Sequence, residues 1–233
     1  MIEHYVVAAS SYARQIDFVF TLIFVLVGFW FVLSEAVFIG LILRFRKKEG
    51  VRAEYITGEE KHQKRWITIP HLLVLVCDVF IIVFAIKAWY DVKQDLPPAE
   101  RTVRLIAQQW AWTFVHPGPD GKLDTDDDIS TVNELHVEVD TLYHYKLESL
   151  DVLHDFSVPV FRLKQDAIPG RVITGWFEPT VTGSYDIQCA EICGIGHGLM
   201  GARIHIESAT EHAAWMRSQS STAIAAINSP AGT

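Results

Sequence analysis

Within the twelve residues from Cys189 to Met200, "CAEICGIGHGLM", the chain places Cys189, Glu191, Cys193, His197 and Met200. Two of its three cysteines fall here. Thiolate, imidazole and thioether together favour copper, since Met rarely ligates zinc. A mononuclear copper site of the electron-transfer type uses one Cys, two His and a weak Met. Cys193, His197 and Met200 would supply its loop triplet, with the other His from a distant strand. Cys189 is then a surplus thiolate, able to bridge a second copper. Two bridging thiolates would spread one unpaired electron over both metals, which suits a relay better than oxygen binding. The rival reading is a Cys189–Cys193 disulfide in an oxidising compartment. Of the ten histidines, His154 in "SLDVLHDFSVPVF" is the best candidate to complete the site, because it ends a strand pattern.

Those donors must be held by something, and hydropathy divides the chain. Residues 18–43 are almost wholly apolar, and 67–90 form a second such run. Each is long enough to cross a bilayer core of about 30 Å as a helix, and no small-residue cleavage pattern follows the first. Between them lie Arg44, Arg46, Lys47, Lys48, Arg52, Lys61, Lys64 and Arg65, eight of the twenty Lys and Arg. Short basic loops stay cytoplasmic, so residues 44–66 are expected inside. The N-terminus, 1–17, and everything after Tyr90 are then expected on the outer face. From Asp91 onward ten Lys and Arg stand against twenty Asp and Glu. That balance argues against nucleic acid and for a basic partner drawn in by long-range attraction.

After a linker at 91–101 containing "DLPPAE", the pattern changes to short, often alternating stretches: "TVRLIAQQ", "WAWTFV", "ELHVEVD", "HYKLESL", "RVITGWFE", "GSYDIQC" and "ARIHIES". About seven strands at this spacing predict a β-sandwich or barrel over 102–218. Ser208 or Thr210 would cap a short closing helix through Arg217, with Glu211 favourable in its first turn. Residues 219–233 are small and polar and read as a flexible tail.

On these residues the chain resembles subunit II of the haem–copper cytochrome c oxidases. The copper-A motif C-x-E-x-C-x-x-x-H-x-x-M falls without a spacing change on Cys189, Glu191, Cys193, His197 and Met200. "DVLHDFSVPVFRLKQDAIPGR", "QQWAW" and the paired apolar runs match as well. The resemblance implies a membrane-anchored all-β protein, with a two-helix hairpin followed by a cupredoxin-like Greek-key sandwich. It implies that Cys189 and Cys193 bridge two coppers, with His154 and Met200 completing one and His197 and the Glu191 carbonyl the other. The Glu191 side chain would share a magnesium ion with subunit I, while haem and a third copper belong to subunit I itself. Trp110 would receive electrons from cytochrome c, and Asp151 would lie near its docking face. Expected partners are subunits I and III, cytochrome c and membrane lipid. The expected location is a bacterial plasma membrane, with both termini periplasmic. The implied function is relay of electrons to haem for reduction of oxygen to water, coupled to proton pumping. The competing readings are a copper-A subunit of a nitric oxide reductase and, outside enzymes, a membrane-anchored copper-delivery protein. No C-x-x-C-H haem attachment motif occurs.

Four features depart from that pattern or stand outside it. The family often has a glutamate seven residues before the proline of the second helix, at a proton channel; from Pro70 that position is Gln63. Glu35 and Asp78 are membrane carboxylates and candidates for proton uptake or for bonding a neighbouring subunit. "GPDGKLDTDDDIS" carries Asp120, Asp124, Asp126, Asp127 and Asp128. It fails the EF-hand template, because Ile129 takes the sixth position where Gly is required. A solvated hairpin tip competes with an acidic rim, formed by Asp124, Asp126, Asp127 and Asp128, for a lysine-rich cytochrome c. Cys77 reads as packing within the second helix.

Overall fold

The computed structural model describes residues 5–53 and 55–227, with side chains through Gln219. The chain divides into two units, residues 17–91 and residues 1–16 with 92–233.

The first unit is a helical hairpin. Helix α1 spans Ala13–Arg44 and α2 spans Lys61–Trp89, followed by a π turn over Tyr90–Gln94. Both helices extend beyond the apolar runs. Flanking residues such as Lys61, Gln63, Lys64 and Arg65 are good helix formers that hydropathy does not register. Pro70 lies inside α2, and the helix continues through it. Gln63 has a local task, since its Oε1 accepts the Gly58 N–H at 2.8 Å. Cys77 accepts a hydrogen bond from Trp30 Nε1 at 3.4 Å, and Phe18 meets Phe84 edge to face. Phe24, Phe31, Phe38, Val76, Phe80 and Val83 all point outward. An apolar exterior on a hairpin of this length is what lipid contact requires.

The second unit is a two-sheet sandwich. Its strands are β1 (Arg101–Gln108), β2 (Ala111–His116), β3 (Ile129–Val132), β4 (Glu134–Glu138), β5 (Tyr143–Ser149), β6 (His154–Val158), β7 (Leu163–Ala167), β8 (Ile173–Phe177), β9 (Gly183–Cys189) and β10 (Gly201–Glu207). One sheet runs β3-β2-β1-β5-β8 and the other β4-β10-β9-β6-β7. The β1–β5 and β4–β10 pairs are parallel and the others antiparallel; each parallel pair joins strands distant in the chain, because parallel neighbours need a long crossover.

Strand β5 shows the driving force plainly. Tyr143, Tyr145, Leu147 and Ser149 turn inward, while His144, Lys146 and Glu148 turn outward. Trp112, Phe114, Phe156, Phe161 and Phe177 join the same core, all fully buried. Each aromatic or aliphatic side chain so buried contributes about 1.5–3 kcal/mol relative to exposure.

Strands β3, β6 and β7 leave no clear alternation in the sequence. All five residues of β6, "HDFSV", are buried, three of them polar. With both faces covered, no period of two survives.

Two chain ends depart from expectation. Residues 5–16 belong to the sandwich rather than to a separate outer stub; residues 1–4 lie outside the described part. Ala9 N–H donates to the Val160 carbonyl at 2.8 Å, Thr180 N–H to the Ala9 carbonyl at 2.9 Å, and Ala9 and Tyr12 join the core. At the other end helix α3 runs Ala209–Ile227, past Arg217 and into the expected tail. Ala223, Ala225 and Ala226 are strong helix formers, so small size need not mean an irregular chain. The tail residues 228–233 lie outside the described part. Ser208 makes the reciprocal cap, accepting the Glu211 N–H at 3.3 Å while its own N–H reaches Glu211 Oε2 at 2.9 Å.

Candidate metal centre

Two strands meet at the end of the sandwich to build the site. Strand β9 ends on Cys189, and β6 begins on His154. Their register places Phe156 opposite Cys189, and the Ala190 N–H donates to the Asp155 carbonyl at 3.1 Å. The chain then loops out and returns through a single 3-10 turn, His197–Leu199. The Cys189 N–H closes the loop on the Met200 carbonyl at 3.1 Å.

Inside this loop the donor atoms converge. Cys189 Sγ lies 3.7 Å from Cys193 Sγ, 3.9 Å from His154 Nδ1 and 3.2 Å from the Glu191 carbonyl. Cys193 Sγ lies 3.6 Å from His197 Nδ1 and 3.8 Å from Met200 Sδ. A disulfide needs about 2.05 Å between sulfurs, and both cysteines are free. The disulfide reading is thereby removed. Two thiolates at this separation can share an ion held by bonds of about 2.3 Å. His154, Cys189, Cys193 and Met200 are all buried, with His197 and Glu191 half-buried. Burial, then the adjacent Cys189, pushes the Cys193 thiol up to about 11, so a bound metal must displace a proton to gain that ligand. Sulfur-rich, buried and closed, the donor set fits copper.

The surroundings hold the ligands in place. His154 Nε2 lies 2.8 Å from Asp151 Oδ1, which leaves Nδ1 aimed at sulfur. Asp151 also accepts the Gln109 N–H through Oδ2 at 2.7 Å and the Val152 N–H through Oδ1 at 2.6 Å. Burial raises the Asp151 carboxyl, but the Gln109 amide, the His154 ring and the Val152 amide together hold it below its usual range. Expected at a docking face, Asp151 has both oxygens engaged within the chain. A carboxylate on the far nitrogen of a ligating His fixes its tautomer and orientation. Trp112 sits edge to face against His154, with centroids 6.2 Å apart.

Trp110 lies over the loop, partly exposed. Its contact explains two glycines. A Cβ at Gly196 would come 2.4 Å from Trp110 Cδ2, and one at Gly194 would come 2.8 Å from Gln109 Nε2. Gly194 also has φ +125°, a conformation that disfavours other residues. Gln109 Nε2 donates to the Cys193 carbonyl at 2.7 Å. Gln109 therefore touches Cys193 directly and His154 through Asp151. Residue spacing carries no hint of this; only its place beside Trp110 could have flagged it. Ile192, Ile195 and Leu199 stand exposed on the same loop.

The other site residues are dispersed. The Glu191 side chain folds back on its own backbone, with Oε1 accepting the Ile192 N–H at 3.2 Å. In the Asp-rich segment the carboxylates close their own turn. Asp120 Oδ1 accepts the Lys122 N–H at 2.8 Å, Asp128 Oδ2 the Asp124 N–H at 2.9 Å, and Asp127 Oδ1 the Thr125 hydroxyl at 2.6 Å. Asp124 pairs with Arg104. This is the hairpin-tip geometry; Asp124 and Asp126 remain exposed. Glu35 and Asp78 lie exposed on α1 and α2.

Comparison with known proteins agrees with the geometry. The family model described as "Cytochrome C oxidase subunit II, periplasmic domain" matches residues 101–208. "Alternative cytochrome c oxidase subunit 2" of Bradyrhizobium diazoefficiens is 32% identical over 226 residues, 88% of this chain and 80% of that protein. The chain belongs to the cytochrome c oxidase subunit II family. "Cytochrome c oxidase subunit 2" of Cereibacter sphaeroides is 25% identical over 239 residues, covering 90% of this chain and 77% of that one. The crystal structure of the periplasmic domain of subunit II of cytochrome oxidase of Bradyrhizobium japonicum aligns with 55% of this chain and 99% of its own, at 29% identity and TM-score 0.49. Family membership carries with it a membrane-anchored oxidase subunit with a copper centre. The delivery-protein reading finds no support.

Proposed function

We propose that this subunit II accepts electrons one at a time from cytochrome c and relays them through a copper-A centre to haem in subunit I. There oxygen is reduced to water as protons are pumped. The observation that carries the reading is the convergence of Cys189, Cys193, His197, Met200 and the Glu191 carbonyl of one closed loop with His154 of β6. Two coppers held there would supply a one-electron relay whose geometry changes little with redox state.

The chain's own residues do the rest. Cys189 and Cys193 would be the thiolate ligands shared by the two coppers, with His154, Met200, His197 and the Glu191 carbonyl supplying the remaining donors. Asp151 and Gln109 hold the ligands at fixed orientation, which keeps rearrangement small. The core aromatics and the closed loop exclude water. Trp110 lies against the loop backbone at Gly196 and is the point at which electrons arrive. Trp110, Ile192, Ile195 and Leu199 present an apolar contact to cytochrome c, and Asp126 with the other hairpin aspartates adds acidic attraction for a basic partner. The Glu191 carboxylate, whose Oε1 accepts the Ile192 N–H, would offer a ligand to a magnesium ion shared with subunit I. Glu35 and Asp78, exposed on α1 and α2, serve proton uptake or bond a neighbouring subunit. Residues 44–66 lie on the cytoplasmic side of a bacterial plasma membrane, and the sandwich on the periplasmic side.

One experiment on the purified oxidase tests this reading. Copper analysis should find two coppers in this subunit, and Cys189→Ser should abolish the mixed-valence spectrum. Trp110→Phe should slow reduction by cytochrome c and leave that spectrum intact. One copper per subunit, or an unchanged Cys189→Ser spectrum, overturns the dinuclear assignment; unchanged reduction removes Trp110 from the path.

A further inference from the structure

A second gathering of ligands occupies the outward face of strands β4 and β10. Their parallel register sets His136 opposite His205 and Glu134 opposite Arg203. Alternate residues of a strand share a face, so Glu134 and His136 project on the same side as His205 and Glu207. The His136 and His205 rings stack, with centroids 4.6 Å apart and planes 22° from parallel. Trp215 of α3 stacks on His136 at 4.2 Å and limits its swing.

Each imidazole is tethered through the same ring nitrogen. His136 Nδ1 lies 2.7 Å from Glu207 Oε1, and His205 Nδ1 lies 3.2 Å from Ser184 Oγ. Their Nε2 atoms are left for other work, and His205 Nε2 contacts Glu134 Oε2. One ligand atom from each of Glu134, His136 and His205 falls within 4.8 Å of the other two.

We propose that Glu134, His136 and His205 form a second metal site, for a divalent ion of the zinc type. Two imidazoles and one carboxylate, with a fourth position open to solvent, make a three-ligand zinc arrangement. The set lacks sulfur, which disfavours Cu(I), and has too few oxygens for calcium or magnesium. Bonds of about 2.0–2.1 Å require two ring nitrogens about 3–4 Å apart with their lone pairs converging, so binding turns the more exposed His205 ring out of its stack while Trp215 holds His136. Glu207 behind His136 is the carboxylate that fixes tautomer and strengthens the ligand. Burial, the largest influence on His136, holds it below its ordinary range. The acidic excess after Tyr90 raises the local concentration of cations. None of these residues belongs to the sulfur loop, so the site stands whether or not the copper relay does.

Zinc uptake by the full-length, copper-loaded chain tests the proposal. The chain is equilibrated with buffered micromolar zinc, and both metals are counted. The expected result is one more zinc per chain in the wild type than in His205→Gln. Glu134→Gln should weaken zinc at least about tenfold, as loss of a metal-orienting group commonly does. Both positions are partly exposed, and unchanged copper content in each variant shows that the fold is intact. Equal zinc in wild type and His205→Gln overturns the site. So does a wild type that takes up none, which would leave His205–Glu134 an ion pair only.

Discussion

Two regions of this sandwich bring histidine against carboxylate, and they do so in opposite senses. In the sulfur loop Asp151 holds His154 by Nε2, and Nδ1 faces Cys189 inside a buried, closed turn. On the β4–β10 face Glu207 holds His136 by Nδ1, and Glu134 and His205 each bring a donor atom within 4.8 Å of one of its own. The residue types are nearly the same. What differs is which ring nitrogen is tied down and what stands across from the other. A loop that returns on itself can crowd two sulfurs and a thioether around one buried point. A strand face offers donors only at alternate positions and leaves one side open. The first arrangement suits an ion that must not exchange ligands as it changes charge; the second suits one that comes and goes.

This contrast can be strained experimentally. The largest effect should come from acid. Burial, then the neighbouring His136 and His212, pushes His116 down to about 3. Its folded value lies below its unfolded 6.5, so the stability it contributes is fully present above pH 6.5 and is lost as pH falls toward 3. By pH 4 one such group costs about 3 kcal/mol. Denaturant unfolding of the purified chain between pH 7 and 4 should show this slope, and His116→Phe should flatten it. A slope unaffected by that substitution would mean that His116 does not resist protonation as a buried group.

Asp151→Asn comes next. It should lower copper affinity about 10–100-fold, the usual result of losing the carboxylate behind a ligating His, and leave zinc uptake at the β4–β10 face unchanged. Competition with a copper chelator reads the first and metal counting the second; a shift in both would mean that the two regions are energetically coupled. The smallest effect belongs to Ser208→Ala. Removing that cap should cost about 1 kcal/mol in thermal or denaturant unfolding and loosen α3, which carries Trp215 against His136. Copper content should not respond.

Legibility in the sequence followed the physics of each element. The sulfur loop could be read because its donors are local: five of its residues fall within twelve positions, and thiolates, imidazole and thioether crowded so closely point to a soft metal. The membrane hairpin could be read because lipid demands long unbroken apolar runs. The strands with one wet face, such as β5, announced themselves by alternation. Strand β6 did not, because burial on both faces with polar His154, Asp155 and Ser157 erases the period. Gln109, beside a tryptophan that drew attention, showed no sign that its amide reaches Cys193. His136 and His205 lie far apart in the chain with nothing to link them. The aspartates after Gly121 suggested a charged rim, and the fold directs several of them into closing their own turn.

The amino-acid order by itself determined the anchor, the sandwich class and which residues crowd the sulfur loop, because those follow from local composition, periodicity and spacing. Only the tertiary structure decided how the donors are aimed. The β6–β9 register carries His154 to Cys189, the Trp110 ring demands glycine at 196, and the parallel β4–β10 pair sets His136 against His205. Each is a contact between residues distant in sequence, settled by which strands pair and which side chains the core has room to bury.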